Sequence, residues 1–215
     1  MTVRGNDGRP IFVDNHDRRS FLAILAEAGQ LAGWRLLSFC LMTNHAHMLV
    51  ELGAERLSEG MHLLTSTHSH RYREVHKTDG HLFGRRYSAS VITRDEHLLE
   101  TFRYIALNPW RAGLTQDRDT WQWSAHRALA GLGPCPRLLH RDRALWFFDG
   151  DANSYREFIN DGDRPPPRES LEDLVVEGAH AIPRAHLVHG YTQAEIATAF
   201  GVSQATVSRR IRRGE

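Results

Sequence analysis

The sequence predicts a small α+β domain, an antiparallel sheet with helices packed on it, followed by a compact all-α unit. Three observations predict it. Residues 1–130 alternate between helical and strand-like apolar spacing, a proline-rich stretch interrupts the chain at 161–170, and residues 186–215 carry the spacing of two short helices around a glycine.

Taken in order, "MTVRG" reads as a short first strand. "DRRSFLAILAEAGQLAGW" places Phe21, Leu22, Ile24, Leu25 and Leu31 at helical spacing and ends at Gly33. "WRLLSFCLM" and "HAHMLVEL" read as two strands joined through Thr43 and Asn44. A helix is expected from about Glu55 to Lys77, then a strand in "FGRRYSASVIT". A further helix begins after Thr93, where Thr93 and Glu96 have capping-box spacing, and stops before Pro109.

Composition narrows the function classes. The 215 residues hold 27 Lys and Arg against 26 Asp and Glu, a net charge of +1, so no bulk basic excess announces a nucleic-acid partner. Local charge says more: basic residues gather at 68–77, 84–88 and 208–213, and acidic ones between Glu157 and Glu177. Two cysteines make neither a disulfide framework nor a zinc finger, and Cys40, in an apolar run, is expected buried. No apolar run is long enough to cross a membrane and no signal peptide opens the chain, so a cytoplasmic protein with no membrane partner is expected. The expected division is an α+β domain over 1–130, a connecting segment with a proline-rich linker over 131–185, and a helix-turn-helix module over 186–215.

In "TQAEIATAFGVSQATVSRRIRR", Thr192 can cap a helix carrying Ala194, Ile196, Ala197 and Phe200. Gly201 makes the turn, and Val202, Val207 and Ile211 anchor the second helix. That second helix would expose Ser203, Gln204, Thr206, Arg209 and Arg210 toward base edges and phosphates of DNA. The alternative is a generic helical hairpin closing the chain.

The stretch "NHAHMLV" poses the chemical question. On a strand His45 and His47 project together, while Ala46, Met48 and Val50 face a core. Two imidazoles so placed suit one metal ion. With 14 histidines in the chain, about one His-x-His pair arises by chance, and His68-Ser69-His70 is a second. In the helix "DEHLLETFRYIALNP", Leu98, Phe102, Ile105 and Ala106 form the buried stripe. His97, Thr101, Tyr104 and Asn108 fall on another face, as site residues or as a surface aromatic and a helix cap.

"LMTNHAHMLVE", followed by "GHLFGRRYSA", "YIALNPWRAGL" and "WQWSAHRA", resembles the REP-associated tyrosine transposases of the HUH single-strand transposase group. The resemblance covers residues 1–130 and implies a ferredoxin-like catalytic domain. It implies His45, His47 and Asn108 as ligands of Mg²⁺ or Mn²⁺, and Tyr104 as nucleophile. His68-Ser69-His70 falls outside the matching motif and reads as surface or DNA-facing. Family members carry further residues ahead of the segment equivalent to "VRGN"; here either the first strand is short or the start lies elsewhere.

The reaction so implied is metal-dependent cleavage and strand transfer of single-stranded DNA at REP-type hairpins, through a 5′-phosphotyrosine and a free 3′-OH. A phenol with pKa about 10 must lose its proton, and His97 is the nearest guess for a base. Arg71, Arg73, Arg85, Arg86 and Arg111 are candidate phosphate contacts, and duplex DNA is a further partner through the helix-turn-helix. A monomer or homodimer is expected. The alternatives are a catalytically retired hairpin-binding regulator and a metal-dependent hydrolase using water.

Overall fold

The computed structural model describes residues 1–52, 56–84, 86–161, 170–182, 185, 191 and 193–213, and of 212 and 213 the backbone alone. The chain divides into two compact units, Met1–Asn160 and Asp161–Glu215.

The first unit is built on three antiparallel strands among the described residues: β1 (Thr2–Arg4), β2 (Trp34–Leu41) and β3 (His45–Leu52). Their order is β1-β3-β2, so the histidine-bearing strand is central. Helix α1 (Asn15–Ala32) starts at a capping box in which the Asp14 carboxylate accepts from His16 and Asp17 N–H groups at 2.7 and 3.0 Å. Such a cap contributes about 1 kcal/mol. The helix ends at Gly33 in the left-handed region, as its sequence predicts. Helix α2 (Leu57–His76) packs along α1, and His76 Nε2 meets both Asp17 carboxylate oxygens at 3.0 Å, tying the end of one helix to the start of the other. Helix α3 (Asp95–Arg111) packs against β2 and β3.

Three expectations need correction. The strand predicted in "FGRRYSASVIT" does not form among the described residues; only isolated bridges, Gly5 to Phe83 and Thr2 to Ser88, run beside β1. Residues 88–91 are exposed, with Val91 88% accessible, so no buried face rewards a longer ladder. Helix α3 begins after Arg94 with no side-chain cap, and runs through Pro109 to Arg111 rather than stopping ahead of the proline. Pro109 sits buried in the last turn, where its missing N–H costs one hydrogen bond.

The third concerns residues 131–160, expected as connecting chain. They pack into the first core through α5 (Arg141–Leu145), following the short α4 (His126–Leu129), and through α6 (Ala152–Asp161). Phe148, at the end of a 3₁₀ turn, meets Phe102 of α3 edge-on at 5.2 Å and Tyr155 at 5.0 Å. The buried His126 joins Asp119 at 2.9 Å and the Tyr155 hydroxyl at 3.2 Å. Most of the proline-rich linker, 162–169, lies outside the described residues.

The second unit has its own core of Leu174 from α7 (Leu171–Glu177), Ala181, Ile182, Ala185, Ile196, Ala197 and Val207. The last three belong to α8 (Gln193–Ala199) and α9 (Gln204–Arg213). Gly201, at φ 62, makes the turn between these helices, a conformation nearly free for glycine. Residues 171–185, expected as connecting chain, therefore belong in part to this module. Thr192, the expected cap of α8, lies outside the described residues.

If 131–160 is core rather than linker, Phe148→Ala lowers the unfolding free energy by about 3–5 kcal/mol. Urea unfolding checks this; a midpoint within error of wild type would return the segment to linker status.

Candidate active site

β3 pairs with β1 so that Thr2 stands opposite His47 and Arg4 opposite His45. Opposed residues share a sheet face, and the Thr2 hydroxyl lies 3.0 Å from His47 Nδ1. Ala46 and Met48, both fully buried, take the other face, as alternation predicts. His45 Nδ1 donates to the Asn44 side-chain oxygen at 2.7 Å, which leaves its Nε2 as a lone pair. His47 Nε2 is buried with no hydrogen-bond partner. Its Nδ1 is engaged by the Thr2 hydroxyl, and the two rings stand edge to face at 4.8 Å.

Both imidazoles are held neutral. Burial, helped by the Arg4 charge, lowers His45 from 6.5 to about 4. His47 falls to about 3 through burial first, then His45, the N-terminal ammonium and Arg4. Neither therefore has to shed a proton before acting as a ligand near neutral pH.

Tyr104 projects from α3 onto this face, its ring edge-on to His47 at 5.1 Å while the residue stays 37% exposed. Asn108 lies one turn further along the helix, near the phenol. Burial pushes the phenol above its usual range, and the Asn108 carboxamide and the charges of Arg111 and Arg4 oppose that rise. Arg111 follows on the same helix face, seven residues after Tyr104. His97 is exposed and seven residues before it, about 10 Å along the helix axis, beyond a single hydrogen bond to the phenol.

The remaining candidates scatter. Arg71 and Arg73 lie exposed on α2, one bonded to the Ser20 hydroxyl at 3.1 Å and the other to the Ser69 carbonyl at 3.3 Å. Arg86 is exposed and Arg85 lies outside the described residues. His68 is not surface: it is 1% exposed, packed among Phe12, Phe21 and Phe83, with Nε2 donating to the Ile11 carbonyl at 2.9 Å. His70 alone of that pair is exposed, beside Glu74 at 3.3 Å. On α9, Gln204 and Arg209 are exposed and Thr206 and Arg210 partly so, while the Ser203 hydroxyl accepts from Thr206 N–H and is used in capping the helix. Sequence reasoning missed Thr2 and Arg4, because strand pairing rather than spacing brings them to the histidines.

Among the described residues no three His, Cys, Asp or Glu side chains are grouped to share a metal. The donor set here is two imidazoles and a carboxamide, with an unpartnered buried nitrogen at its centre, and it fits one small divalent cation. No helix is long and apolar enough to cross a membrane among the described residues.

Comparison with known proteins points to the transposase class of DNA-processing proteins. Residues 3–108, just under half of the chain, match the family model described as "Transposase IS200 like". Residues 174–214 match "Sigma-70, region 4". The chain also resembles a solved structure, a REP-associated tyrosine transposase bound to a REP hairpin. The TM-score is 0.51 at 17% identity, over 62% of this chain and 79% of that one, a likeness of fold. Among curated proteins none matches the chain.

The neutral histidines predict an acid-side loss of stability. Unfolded imidazoles titrate near 6.5 and the folded pair at about 4 and 3, so between those values the unfolded chain binds more protons. Stability is then fullest above about pH 6.5 and declines as pH falls through that window. Burial lowers His68 and His126 too, which adds to the slope. Urea unfolding from about pH 7 down to about pH 4 should show the decline, shallower in His47→Gln. An identical slope in that variant would remove His47 as a source.

Proposed function

We propose that this protein cleaves and rejoins single-stranded DNA with Tyr104 as nucleophile. The observation that carries the reading is the contact of Tyr104 with His47, on the face holding both imidazoles and one turn from Asn108. A tyrosine placed for packing would be buried; this one keeps part of its ring open beside polar groups without a carboxylate partner.

In the reaction the Tyr104 oxygen attacks the phosphorus of a phosphodiester. The phenol O–H proton passes to water, an O–P bond forms, the P–O3′ bond breaks, and the 3′ oxygen takes a proton from water and departs as a 3′-OH. The DNA is left joined through a 5′-phosphotyrosine, and a second 3′-OH reverses the step on a new strand. The Asn108 carboxamide stabilises the ionised form of the phenol, offsetting part of the burial that keeps it protonated. His45, His47 and Asn108 would hold Mg²⁺ or Mn²⁺, which supplies charge to polarise a phosphate oxygen and ease departure of the leaving group.

The substrate on this reading is a single-stranded hairpin of REP type, supported by the hairpin bound to the structurally similar transposase. The α8–α9 pair would add a duplex contact through Gln204, Thr206, Arg209 and Arg210, supported by the sigma-70 region 4 match. A soluble protein acting in the cytoplasm as monomer or homodimer is consistent with this role.

Covalent trapping tests the reading. Labelled hairpins from DNA flanking the gene should give a denaturation-resistant adduct with Mg²⁺ or Mn²⁺, lost on chelation and in Tyr104→Phe and His47→Ala. Hairpin affinity of Tyr104→Phe should stay within about threefold, since the hydroxyl acts in the reaction rather than in binding. Tight binding with no adduct in either metal would leave a hairpin-binding regulator instead.

For the second unit, Arg209→Ala should weaken duplex binding and reduce the dependence of log K on log salt by about one. An unchanged salt slope would take Arg209 off the interface.

A further inference from the structure

The pairing that places Thr2 against His47 also places Arg4 directly opposite His45, on the same face. Directly opposed residues in an antiparallel pair have Cβ atoms about 5 Å apart. Arg4 is thus a neighbour of the site through the backbone itself, not through a flexible loop. Its charge is felt by His45, His47 and Tyr104 alike.

The guanidinium is exposed, and no carboxylate among the described residues forms an ion pair with it. Several other arginines of the first unit are committed. Arg35 and Arg143 share Glu51, Arg103 holds Glu100 and the Phe158 carbonyl, and Arg156 holds Asp119. Arg111 is the only other site-facing arginine left without an ion pair among the described residues. It enters from α3 on the Tyr104 face, whereas Arg4 enters from the strand beside the histidines.

A fixed cation beside two neutral imidazoles, with no acid to hold it, is matched to an anion supplied from outside. A guanidinium presents paired N–H donors that fit two oxygens of one phosphate. In phosphoryl transfer the non-bridging oxygens gain charge between ground and transition state, so such a donor acts chiefly on rate.

We propose that Arg4 is a catalytic residue that donates to a non-bridging oxygen of the scissile phosphate while Tyr104 attacks. This rests on the tyrosine reaction proposed above. Arg111 supplies the companion charge from the helix side. Arg4→Lys keeps the charge but not the paired donors and should fall between wild type and Arg4→Ala.

The experiment is single-turnover cleavage of the flanking-DNA hairpin. Wild-type protein first maps the cleaved bond; that linkage is then made as the phosphodiester or as the uncharged methylphosphonate. On phosphodiester, Arg4→Ala should react roughly 10²–10³-fold more slowly than wild type, with hairpin affinity within about threefold. On methylphosphonate, which has one charged oxygen fewer to stabilise, the gap between the two proteins should shrink to about tenfold or less. Arg4→Met, longer and apolar on the same strand, should behave like Arg4→Ala, and thermal unfolding of both should match wild type.

Three results overturn the proposal. They are equal rates for Arg4→Ala and wild type, a defect carried wholly by hairpin affinity, or the same defect on both linkages. A wild-type protein that forms no adduct overturns the tyrosine reaction itself, and Arg4's part with it. A reacting wild type with an indifferent Arg4 leaves that reaction standing.

Discussion

The site depends on the antiparallel register of β1 against β3. A slip of one residue would send Thr2 and Arg4 to the opposite face, bring Val3 to the histidines, and dismantle both the site and part of the core. The register is pinned at both ends of a strand only three residues long. Met48 N–H donates to the Met1 carbonyl at 2.9 Å, and Gly5 N–H to the Asn44 carbonyl at 2.8 Å. Val3, opposite Ala46 and 2% exposed, adds an apolar lock on the far face. Gly5 has a steric reason to be glycine, because a Cβ there would run into the Arg9 carbonyl and the Ile11 side chain. The turn that follows Arg4 is thereby held against β3 and fixes where the guanidinium starts.

Three unfavourable choices of the first unit lie at the site. A buried imidazole nitrogen without a partner costs about 1–3 kcal/mol, and His47 has one. A proline inside a helix is disfavoured, and Pro109 directly follows Asn108. A phenol partly buried and raised in pKa is a poor nucleophile until its charge is compensated. Each would be selected against in plain packing. Together they surround one small volume, where a ligand bound at the imidazoles and an anion bound at the arginines would relieve them.

How much of this was legible in the sequence follows from where each signal resides. Helix α1 and the strands β2 and β3 were readable because cap, apolar period and turn residues all sit within the segment itself. The two-helix turn at Gly201 was readable for the same reason. His45, His47, Tyr104 and Asn108 came from local periodicity joined to a family likeness, and the structure does bring them together. What stayed hidden depends on distant partners. The stretch at 83–93 looks strand-like, yet its described residues make only isolated bridges to the β1 region, at Phe83 and Ser88, and residues 88–91 stay exposed. Phe148, Tyr155 and Ile159 belong to helices too short for a clear period, and only α3 and His126 reveal why they are apolar. His68 looked like a surface residue on a polar helix, but its acceptor is the Ile11 carbonyl, 57 residues away. Arg4 stands beside His45 only through pairing.

Charge balance links the parts of the proposed reaction. The imidazoles and the carboxamide bring no formal charge, and the two nearest unpaired side chains, Arg4 and Arg111, are both cationic. A divalent cation would enter that field against repulsion, without the carboxylates that usually hold such an ion. A phosphodiester reverses the balance: its negative charge is drawn by the arginines, and its oxygens complete a ligand set the protein leaves short. On the proposed reading, metal and DNA each raise the affinity for the other, by the same factor, as linkage requires. The carboxylate-poor site is then a safeguard as much as an economy. With neither partner bound, the phenol stays protonated by burial, and neither the charge nor the ligand geometry for cleavage is assembled until a strand is in place.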